Sequence, residues 1–171
     1  MPKFLSTFIF LLIITTSIYS QVNDKFKLDS LTIYTNENLD SLTFKLKSTH
    51  LKIYKDKNKI PQQVKEQLNL LTKDNFSIAN KKEEYRCCCT SPTTLPTRQL
   101  QFLAVGNDFI AMTYLTGGVG VSTHILLASF YKSELTDLWI GSSFKDIKTK
   151  RKLFKALREA RKEEYNLYWF L

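Results

Sequence analysis

Four runs rich in β-branched and aromatic residues, at positions 100–105, 109–116, 121–131 and 135–140, follow one another with only three or four residues between them. Connections this short join antiparallel neighbours, because a parallel crossover takes about a dozen residues or more. The turn residues Gly106-Asn107-Asp108, Gly117-Gly118 and Lys132-Ser133-Glu134 fall in the gaps. The spacing therefore predicts a four-stranded antiparallel meander. In the second run Phe109, Ala111 and Leu115 alternate with Ile110, Met112 and Tyr114, so both faces of the sheet are apolar and both need a cover.

Two helices can supply it. Pro61 suits a first helical turn, and Val64, Leu68 and Leu71 follow at spacings of four and three, ending near Thr72. Ser143, with Asp146 three residues later, approximates a capping box for a helix reaching about Glu164, with Ile147, Phe154, Leu157 and Ala160 as its buried stripe. The expected fold class is α+β: an antiparallel sheet with a four-stranded meander, covered by one short helix and a long C-terminal helix. Upstream, positions 31–34, 42–46 and 51–54 read as short half-exposed strands, interleaved with Lys45, Lys47, Lys52 and Lys55 as an outer strand requires. Positions 74–96 lose periodicity and read as an irregular connection. An eight-stranded membrane barrel is excluded, because the helices and the irregular segment leave too little chain for eight strands of about 9 to 11 residues.

The N-terminus has the layout of an export signal: Lys3, an apolar run over 4–14, then Thr15, Thr16 and Ser17. The run over 4–18 is shorter than the roughly 20 residues of a membrane span. Cleavage after Ser20, or alternatively after Ser17, is expected. The organisation read from the sequence is a signal peptide over 1–20 and a single α+β domain over 21–171, exported to the periplasm or secreted. No later segment has the length of a transmembrane span, so the mature chain is expected to be soluble or peripheral. Removing residues 1–20 takes away one basic residue, Lys3, leaving 24 basic against 16 acidic side chains and a net charge of +8.

Most of that excess lies over 145–162, where nine basic residues face Asp146 and Glu159. Export argues against nucleic acid as the partner; an anionic membrane surface or another protein fits better, with Lys148, Lys152 and Lys155 as the candidate contact residues. The last residues, Tyr165, Tyr168, Trp169 and Phe170, would give such a helix an aromatic end.

Three adjacent cysteines, Cys87, Cys88 and Cys89, are all the cysteine in the chain, and an odd number cannot pair fully within one molecule. One reading is a thiol cluster partly buried under the sheet. A second is a metal site built from Cys87, Cys88 and Cys89 with His124, or with His50, although the spacing matches no Cys-x-x-Cys pattern. A third is a redox or nucleophilic thiol, Cys88 with His124 as base, favoured by Lys81, Lys82, Arg86 and Arg98 nearby in sequence. His124 follows Gly117, Gly118 and Gly120, which mark either a hairpin needing special backbone angles or a backbone left open for a ligand. His50 is expected to be solvated. Asn75-Phe76-Ser77 matches a glycosylation sequon.

The reading that results is an exported binding or interaction module without a catalytic cycle. The alternative is a thiol-dependent enzyme, or a redox or metal-binding protein, using the cysteine triplet with His124. No cofactor is expected beyond the candidate metal at the thiols.

Overall fold

Nearly continuous apolar runs within 98–143 produce a sheet that is buried on both sides. The computed structural model describes residues 36–72, 75–118, 120–132 and 134–161. Within them the chain runs through α1 (Leu39–Ser48), β1 (Lys52–Tyr54), a 3-10 turn (Lys57–Lys59), α2 (Gln62–Leu71) and β2 (Ile78–Ala79). It continues through β3 (Arg98–Val105), β4 (Phe109–Thr116), β5 (Ser122–Tyr131), β6 (Glu134–Ser143) and α3 (Lys150–Ala160). The architecture is α+β. Strands β3 to β6 form the predicted meander; β1 pairs antiparallel with β3, and β2 lies parallel beside the start of β3 on the same edge.

Odd and even positions of β4 part as the alternation requires. Phe109 and Ala111 join Phe102, Ala104, Ile125, Leu127 and Trp139 on the face covered by α1 and α3. Ile110, Met112 and Tyr114 join Leu100, Leu103, Leu126 and Leu138 on the face covered by α2 and Phe76. Two irregularities keep the strands in step. Register shifts between Leu100 and Phe102, leaving Gln101 as the extra residue of β3, and again beside Ser129 and Phe130.

Helix α1 corrects the strand expected over 42–46. In that window Leu42, Phe44 and Leu46 alternate, which imitates a strand. Extending the window back to Leu39 places Leu39, Leu42, Thr43 and Leu46 on one helical stripe, all buried, and leaves Phe44 70% exposed. Burying the three leucines is worth about 2 kcal/mol each, more than the loss of one exposed phenyl. Asn38 fixes the helix start to the sheet, its amide donating to Leu138 O at 3.0 Å. The segment over 51–54 is a strand as expected, an edge with Ile53 exposed. The strand expected over 31–34, the signal segment and the aromatic end over 165–170 lie outside the described residues.

The C-terminal helix also differs from expectation at its start. Ser143 ends β6, so it is no helix cap. Residues 144–149 lead onto the sheet face covered by α1 and α3, where Thr113 Oγ1 donates to Ile147 O at 2.6 Å. The cap is Thr149, whose side chain accepts from Lys152 N–H. Leu153, Ala156 and Leu157 are the buried stripe, Phe154 and Ala160 are half-buried, and Ile147 is buried but precedes the helix. Among the described residues no helix is long and apolar enough to cross a membrane.

Candidate functional site

The chemically distinctive residues gather at one end of the sheet, where the β4–β5 turn meets the segment carrying the cysteines. Thr116 closes β4, and Gly117 follows it. A side chain at Gly117 would place its Cβ 2.2 Å from Arg86 O and 2.5 Å from the Cys87 backbone. Only glycine admits so close an approach. Gly118 has φ +148°, its N–H donates to Cys87 O at 3.3 Å, and it forms an isolated parallel bridge with Cys88. The glycine cluster is thus filled by the chain's own backbone at Gly117 and Gly118. Around Gly120 there is open space.

The docked segment is a closed loop. Arg86 N–H donates to Pro96 O at 2.8 Å, and the proline-containing stretch between them folds back. At its start Ser91 N–H donates to Cys88 O at 3.1 Å, which makes a tight turn. That turn brings two hydroxyls to one sulfur: Cys88 Sγ lies 3.1 Å from Thr90 Oγ1 and 3.3 Å from Ser91 Oγ. Cys87 Sγ lies 3.9 Å from Cys88 Sγ and 3.6 Å from Ser91 Oγ. These donors, Ser91 first and Thr90 next, favour the thiolate and pull the Cys88 thiol down to about 6. All three thiols are free; Cys87 and Cys89 are exposed and Cys88 is half-buried. A cluster buried under the sheet is therefore not formed, because the turn docks on the sheet end through its backbone.

His124 is placed differently. It stands on β5 opposite Tyr114, is 1% exposed, and its ring stacks on Tyr114 at 5.3 Å between centroids. Nε2 is held by Thr116 Oγ1 at 2.8 Å and Ser122 Oγ at 3.0 Å. Burial, followed by the repulsion of Arg98, lowers its pKa to about 4. The imidazole is neutral at pH 7. Arg98 itself is buried and lies 4.7 Å over the Phe76 ring, which meets Tyr114 edge-on.

No hydrogen bond joins a cysteine sulfur to His124 among the described residues: Nε2 is held by hydroxyls of the hairpin, and the sulfurs of Cys87 and Cys88 by hydroxyls of their own turn. Among the described residues no three His, Cys, Asp or Glu side chains converge as metal ligands would. His50 is exposed, as expected, but sits in the connection between α1 and β1.

The basic surface is a second site. On α3, Arg151, Lys155 and Arg158 point away from the buried stripe, all are exposed, and none is in a direct ion pair among the described residues, though, after the Lys145 hydrogen bond, Lys155 and Arg158 help lower the pKa of Glu159. Of the lysines singled out from sequence, Lys155 belongs to this row. Lys148 and Lys152 instead flank Asp146, at 2.8 and 3.9 Å. Lys145 reaches Glu159 at 2.6 Å, and the residue before it, Phe144, is 94% exposed.

Sequence reading missed Thr90, Ser91, Thr116, Ser122, Arg151, Arg158 and Phe144. The hydroxyl residues two and three places after Cys88 were a usable signal, since Ser and Thr at those offsets bond back to a turn. Comparison with protein-family models, with curated proteins and with solved structures finds no match to this chain.

Proposed function

We propose that the protein is an exported, non-catalytic binding module that docks on an anionic membrane surface at the cell envelope or outside the cell, through the outward face of α3 and Phe144. The observation that carries this reading is the row Arg151, Lys155 and Arg158, three exposed cations a turn apart, none in a direct ion pair among the described residues, although Lys155 and Arg158 also act on the nearby Glu159 carboxylate. Lys150, Arg151 and Lys152 occupy the first turn, where the macrodipole favours acidic residues and each cation costs about 0.3–1 kcal/mol, whereas Arg158 lies in the last turn, which favours it. A positive charge at Arg151, where folding disfavours it, is accounted for by a partner that needs it. Phe144, exposed in the segment that leads into the helix, adds an apolar group to this cationic stretch of chain, the composition of an interfacial contact.

Sedimentation with vesicles tests the reading. Near an anionic bilayer each cation is worth about 1 kcal/mol, so reversing Arg151, Lys155 and Arg158 to Glu should weaken binding to phosphatidylglycerol vesicles by about a hundredfold or more. Phe144→Ser should weaken it further. The reversed protein should remain folded, as its circular dichroism would show. Equal binding to neutral and anionic vesicles, or no change on reversal, would remove this function.

A further inference from the structure

Independently of the basic surface, we propose that Cys88 is a modification site that takes up a small thiol by exchange with a low-molecular-weight disulfide such as oxidised glutathione. The geometry singles out one sulfur of three. Cys88 Sγ has two hydroxyls at 3.1 and 3.3 Å and a neighbouring thiol at 3.9 Å. Cys87 shares only Ser91, at 3.6 Å, besides its contact with Cys88, and Cys89 has no such partner among the described residues. The turn is held in place on the sheet by Gly118 N–H to Cys87 O and by the Arg86–Pro96 closure.

In the exchange the Cys88 thiolate attacks one sulfur of RS–SR. A bond forms between Cys88 Sγ and that sulfur as the RS–SR bond breaks, and the electron pair leaves on RS⁻, which takes a proton from water. Cys88 is oxidised to the disulfide level and the leaving sulfur is reduced, so no further reagent is required. The adduct should persist. Resolution by Cys87 or Cys89 would join adjacent residues, whose Cα atoms lie about 3.8 Å apart, whereas a disulfide needs about 4.4–6.8 Å.

The titrating groups near Cys88 belong to its own segment: Cys87, Cys89 and Tyr85, beside the Arg86 cation. Gly117 and Gly118, which pack against it, carry no titratable side chain. Hydroxyl donation to sulfur raises the thiolate fraction but lowers its nucleophilicity, and the two effects cancel differently at each pH. A thiol titrating near 6 should outpace an ordinary cysteine about twentyfold at pH 5 and about twofold at pH 7, and should fall behind it by pH 8.

The test uses the full chain, reduced, with oxidised glutathione and peptide mapping of the adduct. At pH 5 a single adduct is expected, on Cys88. Cys88→Ser should lower the initial rate at pH 5 by about tenfold or more, while Cys87→Ser and Cys89→Ser leave it within about twofold. Thr90→Val combined with Ser91→Ala should move the midpoint of the rate profile up toward that of an ordinary cysteine. Adducts spread evenly over the three cysteines at pH 5, a profile unmoved by loss of both hydroxyls, or rapid conversion to an internal disulfide would each overturn the proposal.

Discussion

His124 inside the sheet and Cys88 on its end are both displaced toward acid, and for opposite reasons. Around His124 the chain removes water, which penalises the charged imidazolium, and Arg98 adds repulsion. Around Cys88 the chain supplies hydroxyl donors, which favour the charged thiolate while solvent stays close. One group is thereby neutral at pH 7 and the other is largely anionic. A downward shift by itself identifies neither a base nor a nucleophile; the physical cause decides which charge state is present. Only Cys88 is left in a form that can react with something outside the protein.

The interior half of this comparison makes the largest prediction. His124 titrates near 4 in the folded state against 6.5 for an unperturbed histidine. Its contribution is therefore fully present above pH 6.5, where neither state binds the proton, and is lost as the pH falls toward 4 and the unfolded chain takes it up. The expected loss between pH 7 and pH 4 is about 3 kcal/mol. Urea unfolding at both pH values should record it, and His124→Gln, which keeps hydrogen-bonding capacity without a titrating ring, should remove most of the difference. Equal acid losses in parent and variant would mean that the imidazole is not held neutral.

The junction between the two regions gives a smaller effect. Gly117→Ala forces a methyl group against Arg86 O and the Cys87 backbone, so either β4 or the cysteine turn must move. A cost of about 1–3 kcal/mol is expected, as for other overpacking substitutions. Gly120→Ala meets nothing within 4 Å and should change stability by less than about 0.5 kcal/mol. Thermal unfolding of the pair checks this. If the two substitutions cost the same, the cysteine segment is not seated on Gly117.

How much of this was legible follows the range of the forces involved. The meander could be read because apolar runs within 98–143 and short turns are local signals, and the two-sided burial of β4 followed from them. Helix α1 was misread because Phe44, an exposed residue, completed a false alternation with Leu42 and Leu46. The start of α3 was misplaced because Ser143 and Asp146 imitate a cap, while the true cap depends on where β6 lets go of the sheet. The site was legible in residue type but not in pairing. Cys88 and His124 were both singled out, yet whether they meet depends on Gly117 admitting the Cys87 backbone and on hydroxyls reaching each group first. Those are three-dimensional facts with no periodicity to announce them.

The smallest effect removes one hydroxyl from each region. Thr116 Oγ1 holds Nε2 of a buried ring at 2.8 Å, and Ser91 Oγ holds a sulfur in an exposed turn at 3.3 Å. Thr116→Val leaves the buried ring nitrogen with Ser122 alone and also removes the 2.8 Å bond between Thr116 and Ser122, so the loss should cost about 1 kcal/mol. Ser91→Ala also loses its contacts with Cys88 N–H, at 3.3 Å, and with Cys87 Sγ, at 3.6 Å, yet water can replace all three there, so the stability change should stay below about 0.5 kcal/mol. The chemical readout runs the other way. Thiolate absorbance followed against pH should place Cys88 higher in Ser91→Ala, since Ser91 is the largest of the influences that lower it, and should leave it unmoved in Thr116→Val. Should Ser91→Ala destabilise the fold more than Thr116→Val, the turn would be part of the core and the contrast between a sealed interior and a solvated thiolate would fail.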